Sequence, residues 1–221
     1  MKLLLRAFLA FVCGFALCAL MLFLPAGTMD YPGAWLFLAL LFIPMLVLGA
    51  VLFVRSPDLL RERLNGREKQ KSQQGVMGLT ALVIFGSMIL SAVDFRLGFT
   101  RVPGWLMGVA AVLQLAAYGL YGEVMRENAW VSRTVKVQEG QQLVDTGLYG
   151  VVRHPMYMAA SALFLAIPLV LGSWIGFAVM LLFPLAMAYR IQEEEKLLLR
   201  ELTGYADYRH RVRWRMIPFI W

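Results

Sequence analysis

Charge and cysteine are both scarce in this chain. Only 16% of its 221 residues are charged and 60% are hydrophobic, whereas a soluble domain carries roughly 25% charge. The two cysteines, Cys13 and Cys18, lie five positions apart in an apolar run, so they do not share a helical face. An internal disulfide or a cysteine metal pair is therefore not expected, and the composition predicts a membrane protein.

The sequence also lacks the common signatures of soluble nucleotide and metal enzymes. It contains no glycine-rich dinucleotide fingerprint, no Walker A motif and no zinc-ligand spacing. The formal net charge is +7, but Lys and Arg lie in loops between apolar runs rather than on a basic face with interleaved aromatics. Neither nucleic acid nor a metal ion is therefore predicted as a partner.

Long apolar runs take the place of these motifs and predict an all-α integral membrane protein. Residues 3–24, 33–54, 76–93 and 104–124 are each long enough to cross a hydrocarbon core of about 30 Å. The first run, preceded by basic residues, also fits a signal peptide, but its length favours a retained helix. Polar side chains in or near the fourth run are expected to face the bundle interior, because lipid exposure is costly. These side chains are Gln114 and Glu123.

A fifth apolar stretch, residues 156–188, would be about 50 Å long as one helix. It is predicted to form a tight hairpin of two short arms that turns at residues 171–173. The predicted fold is therefore five to six transmembrane helical segments, the last two a tight hairpin, followed by a cytoplasmic amphipathic helical tail. In this division residues 1–125 form the N-terminal helices, and residues 126–221 form the functional core.

Basic residues set the predicted orientation, because cytoplasmic loops are enriched in Lys and Arg. With the N-terminus, the 55–75 loop, the 126–153 loop and the chain from residue 190 on one side, only Arg96 and Arg101 fall on the other. The first side is predicted to be the cytoplasmic face of an inner or plasma membrane. Both termini and the polar stretch described next then face the cytoplasm.

Between the fourth run and the hairpin lies a polar stretch, residues 145–157, with several reactive side chains. Arg153, His154 and Tyr157 are grouped around Pro155, and proline suits the first turn of a helix. The residue before a proline is biased toward an extended conformation. The stretch is therefore predicted to be a loop that runs into a helix at the membrane edge.

The charged segment after the hairpin supplies a second motif. Arg190 and Glu194 lie four residues apart, so they share one face of a helix. Gly-Tyr-x-x-Tyr follows at 204–208 and Arg-x-x-Pro at 215–218. On periodicity alone this segment is an interfacial helix with solvated charges. Together with Arg-His-Pro-Met-Tyr at 153–157, however, it resembles the isoprenylcysteine carboxyl methyltransferase family and its wider group, which includes phospholipid N-methyltransferases and related bacterial membrane methyltransferases.

The resemblance spans residues 128–218 and implies a membrane enzyme that uses S-adenosyl-L-methionine. It would methylate the polar end, a carboxylate or an amine, of a lipid-like or isoprenylated acceptor, as protein-S-isoprenylcysteine O-methyltransferase does. The implied catalytic residues are Arg190, Glu194 and His154, with Arg190 and Arg153 toward the substrate. His154 is the first candidate for a base, because its ordinary pKa is near 6.5. The implied cofactor-binding residues are Gln141, Gln142, Leu143, Val144, Tyr149, His154, Pro155, Met156, Tyr157 and Glu194.

Alternatives remain open at the level of the sequence. The chain also fits a phospholipid N-methyltransferase, an NADPH-dependent sterol or enone-type reductase of membranes, or a non-enzymatic accessory protein. Arg153 fits a membrane anchor, and Arg190 with Glu194 fits a structural salt bridge. A preference for S-adenosyl-L-methionine or for NADPH would distinguish a methyltransferase from a reductase. A non-enzymatic accessory protein is expected to bind neither cofactor.

Overall fold

The computed structural model describes residues 2–55, 71–128, 130 and 140–221. No β-strand occurs in these residues, although an isolated bridge pairs Val152 with Trp214. The predicted all-α fold is confirmed. In chain order the elements are α1 (Lys2–Ala26), α2 (Pro32–Arg55), α3 (Lys71–Leu97), α4 (Gly104–Glu127), a 3-10 turn (Gly147–Gly150), α5 (Pro155–Val170), α6 (Trp174–Met180), α7 (Leu182–Glu201) and α8 (Tyr205–Arg211).

Within the described ranges, five helical stretches are long and apolar enough to cross a membrane. They lie in α1, α2, α3, α4 and the arm formed by α6 and α7, Trp174–Glu201. The remaining apolar helix, α5, has 16 residues and is about 24 Å long, shorter than the hydrocarbon core. The predicted count of five to six segments is therefore confirmed.

Hydrogen bonds fix the hairpin turn at the end of the bundle away from the polar stretch. Gly172 adopts a φ of +85°, a left-handed conformation that glycine tolerates because it has no Cβ. Ser173 Oγ caps α6 and donates to the Asp94 carboxylate of α3 at 2.5 Å. Tyr31 donates its hydroxyl to the Leu171 carbonyl at 2.7 Å. The predicted turn position is confirmed, and α3 and the segment before α2 hold it.

The second arm of the hairpin is longer than predicted. The sequence analysis ended it near residue 188 and placed a separate interfacial helix after it, but α7 continues without a break to Glu201. The physical reason is that Arg190 and Glu195 are buried inside the protein, where other residues of the chain replace solvent around them. The long arm carries the second motif alongside the beginning of α5.

The helices α4 and α5 form the most extensive helix pair in the described part of the chain. Small buried residues, Ala110 on α4 and Ala159 on α5 among them, allow close approach. Gln114 is fully buried, as predicted. The prediction for Glu123 was wrong: its side chain is 39% exposed and pairs with Arg126 at 2.5 Å, because the polar end of α4 offers a surface partner.

Two parts of the sequence-based description, the polar loops and the boundary between the two parts of the chain, are considered separately. Most of the 55–75 loop, and residues 131–139 of the 126–153 loop, lie outside the described residues. The boundary at residue 125 stays a prediction, although α4 before it packs against α5 after it.

Candidate functional site

A pocket of about 740 Å³, counted with its open mouth, lies where α5 begins. Its walls come from the end of α4, the loop before α5, α7 and α8. The pocket thus joins the two sequence motifs in one place.

Every residue predicted to bind a cofactor lines this pocket, and so does Arg153. Arg190 is outside the set of lining residues and lies one helical turn before Glu194 on α7. The roles of these residues remain predictions. Sequence analysis did not assign several lining residues to the site. Among them, Tyr205 and Tyr208 could have been found from the Gly-Tyr-x-x-Tyr motif. The missed residues are Asn128, Trp130, Leu198, Leu202, Tyr205 and Tyr208.

Gly147 allows the pocket loop to turn beside the end of α4. Its φ is +56°, a left-handed conformation that favours glycine, and a Cβ at this position would displace the Glu127 carboxylate. The same carboxylate accepts the Leu148 N–H at 2.9 Å. Glu127 therefore anchors the 3-10 turn that carries Tyr149 into the pocket.

Three tyrosines from two elements, the 3-10 turn and α8, give the pocket an aromatic wall. The Tyr208 hydroxyl donates to the Tyr149 carbonyl at 2.8 Å, which ties α8 to the pocket loop. Burial raises the pKa of Tyr149 to about 12, and burial also raises the pKa of Tyr205 and of Tyr208. All three phenols are therefore neutral near pH 7 and suit contact with an uncharged ring better than proton transfer.

A hydroxyl on α5 connects the two charged residues of the α7 motif. Tyr157 donates to Glu194 Oε2 at 2.6 Å and accepts from Arg190 Nε at 3.0 Å. Tyr157 and Arg190 are buried, whereas Glu194 is partly exposed on the pocket wall. Arg190 and Glu194 thus share one face of α7, as predicted, and the Tyr157 hydroxyl fixes their side chains relative to each other.

Behind the pocket, the next residue of α7 gathers a cluster of cations. The Glu195 side chain is 4% exposed and accepts from Arg153 Nε at 2.7 Å and Arg215 Nε at 3.0 Å. His154 Nε2 lies 3.5 Å from the same carboxylate. A carboxylate this deeply buried depends on such partners for its charge.

The cluster holds residues 212–215, here called the tail strap, along the start of α5. Arg153 Nη1 donates to the Val212 and Arg213 carbonyls at 2.6 and 2.8 Å. The Arg153 and His154 backbone N–H groups donate to residues 214 and 215 at 2.9 and 2.8 Å. Through these contacts the Arg153 guanidinium joins Glu195 to the strap.

The middle of the chain has a recognisable family pattern. Residues 99–204 match the family model described as phospholipid methyltransferase. This segment, slightly under half of the chain, is thus similar to that family of methyltransferases. The match covers α4, the pocket loop, the hairpin and α7, and it confirms the wider group that the two motifs indicated. No curated protein matches the chain significantly.

Proposed function

We propose that this protein is a membrane methyltransferase that uses S-adenosyl-L-methionine to methylate the polar end of a lipid-like or isoprenylated acceptor. The family match supports methyl transfer to a lipid-like molecule. The observation that carries the proposal is the pocket in which the Glu194 carboxylate and a neutral aromatic wall meet at the start of an apolar helix. Following the distribution of basic residues, we place this pocket at the cytoplasmic face.

The chemistry of the pocket fits the methyl donor. Glu194 provides the carboxylate for the α-ammonium group, and Tyr149, Tyr205 and Tyr208 provide flat apolar surface for the adenine ring. The residues at 141–144 would wrap the remainder of the molecule. When bound, the cofactor supplies an activated methyl group on a sulfonium, so neither a metal ion nor a covalent enzyme intermediate is needed.

The residues of the chain act by holding the acceptor in line and by excluding water. Arg190 is the group for an acceptor carboxylate, since a guanidinium can bind both oxygens. Tyr157 fixes Arg190 relative to Glu194. The Tyr157 hydroxyl would therefore set the position of the acceptor, bound by Arg190, relative to the methyl donor, bound by Glu194.

The two acceptor classes require different proton chemistry. A carboxylate is already ionised near pH 7, so it needs no base. An amine must lose a proton, and His154 is the first candidate to take it. Because His154 Nε2 faces Glu195, its Nδ1 would be the accepting atom.

Calorimetric titration of detergent-purified protein tests the cofactor assignment. We expect S-adenosylhomocysteine to bind and NADPH not to bind. Glu194→Gln should weaken binding about tenfold or more, because a charge-assisted hydrogen bond contributes about 1.5–3 kcal/mol. Glu193→Gln is the matched control, because Glu193 pairs with exposed Lys196 instead.

The result has three clear readings. Binding of S-adenosylhomocysteine that is lost in Glu194→Gln and kept in Glu193→Gln supports the proposal. Binding of NADPH alone would instead indicate a membrane reductase, and binding of neither compound would indicate an accessory protein.

A further inference from the structure

Beyond the tail strap, the chain forms an ordered turn whose apolar side chains point outward. Phe219 and Ile220 are 82% and 75% exposed. The turn is closed by Trp221, whose carbonyl accepts from the Met216 and Ile217 N–H groups at 2.9 Å and whose N–H donates to the Ile217 carbonyl at 3.0 Å. Residues 217–220 are called the apolar turn below.

The backbone of this turn adopts an unfavourable conformation while it presents these side chains. Phe219 has a φ of +65°, the one positive φ of a residue other than glycine among the described residues. Left-handed backbone costs a bulky residue about 1 kcal/mol or more. Such a conformation at a solvent-exposed phenylalanine is explained if the exposed ring gains contacts elsewhere.

The apolar turn lies at the end of the membrane bundle. Trp221 packs against the apolar cluster that includes Val76 of α3 and Ile191 of α7. Val76 is at the beginning of the membrane-spanning stretch Gly75–Leu97. The turn is therefore level with the boundary between the apolar spans and water, where lipid headgroups lie.

The chain around the turn is basic. Arg209, Arg211 and Arg213 are exposed, although Arg211 pairs with Asp145 at 2.6 Å. The Arg215 guanidinium, which binds Glu195, lies 5.2 Å from the centre of the Trp221 ring. Asp207 is the single acidic residue between 205 and 221. Apolar side chains beside clustered arginines match an anionic lipid surface, which offers both hydrocarbon and negative charge.

We propose that the apolar turn docks into the anionic headgroup layer of the bilayer that the protein spans, with Phe219 and Ile220 inserted and the exposed Arg209 and Arg213 at the lipid phosphates. Docking would hold the C-terminal end of the tail strap in place. The strap is hydrogen-bonded to the backbone of Arg153 and His154 at the pocket. The inference is independent of the identity of the cofactor.

A fluorescent probe at Phe219 tests this placement. Cys13→Ala and Cys18→Ala remove the native thiols, and Phe219→Cys then carries bimane in full-length protein reconstituted into bilayers. We expect blue-shifted emission and quenching by lipids brominated near the headgroup. Quenching should be stronger with phosphatidylglycerol than with phosphatidylcholine alone, and high salt should reduce the difference.

Ala206→Cys on α8 is the matched control, because Ala206 is exposed on the same tail. Its probe should keep water-like emission in both bilayers. Water-like emission at position 219 in both bilayers would overturn the proposal. Equal quenching in both bilayers would overturn the part that assigns a role to anionic lipid.

Discussion

Glu195→Gln is expected to destabilise the protein by about 3–5 kcal/mol, because it leaves the buried positive charges of the cluster without their carboxylate. Glu195 holds Arg153 and Arg215, and Arg153 in turn holds the tail strap. The loss should therefore release the strap as well as lower stability. A fall in the thermal unfolding midpoint of roughly 10 °C in detergent is expected.

The consecutive glutamates of α7 supply an internal comparison. Glu193→Gln should leave the midpoint nearly unchanged, since its partner Lys196 is on the surface. Glu194→Gln should reduce cofactor binding more than stability, because Glu194 is on the pocket wall. Equal midpoints for all three variants would contradict the assignment of Glu195 to the strap.

Tyr157→Phe is expected to lower kcat/KM for methyl transfer about 10- to 100-fold. The change keeps the ring but removes the hydroxyl between Arg190 and Glu194. Hydrogen bonds to charged groups contribute about 1.5–3 kcal/mol, and each 1.4 kcal/mol is a factor of about ten. The measurement is initial rate against acceptor concentration in reconstituted membranes.

A surface tyrosine provides the control for this substitution. Tyr189 precedes Arg190 on α7 and is exposed, so Tyr189→Phe should preserve kcat/KM. An unchanged kcat/KM in Tyr157→Phe would show that the hydroxyl does not position the reacting groups.

The membrane spans were predictable from the sequence because a long apolar run has few stable alternatives in lipid. Gly172 also marked the hairpin turn, where its positive φ is required. The end of α7 was not predictable in the same way. Charged residues after residue 188 suggested departure from the bundle, whereas Arg190 and Glu195 are buried within it.

The division of labour among the glutamates of α7 depends on three-dimensional packing. Adjacent helical positions differ by about 100° around the axis, so Glu194 faces the pocket and Glu195 faces the cluster. The pairing of Arg153 with the carbonyls of Val212 and Arg213 joins residues about sixty positions apart. No local pattern in the sequence specifies such a contact, and the assignment of Arg153 to the substrate stays a prediction.

The most direct test of the account is transfer of radiolabelled methyl from S-adenosyl-L-methionine into the lipid fraction of membranes that contain the protein. The account predicts label in organic-soluble material with wild-type protein and with Glu193→Gln, and strongly reduced label with Glu194→Gln. Base treatment then separates esters, which release methanol, from methylated amines, which do not. An absence of transferred label over a range of carboxylate and amine lipid acceptors, with wild-type protein that is folded, would contradict it.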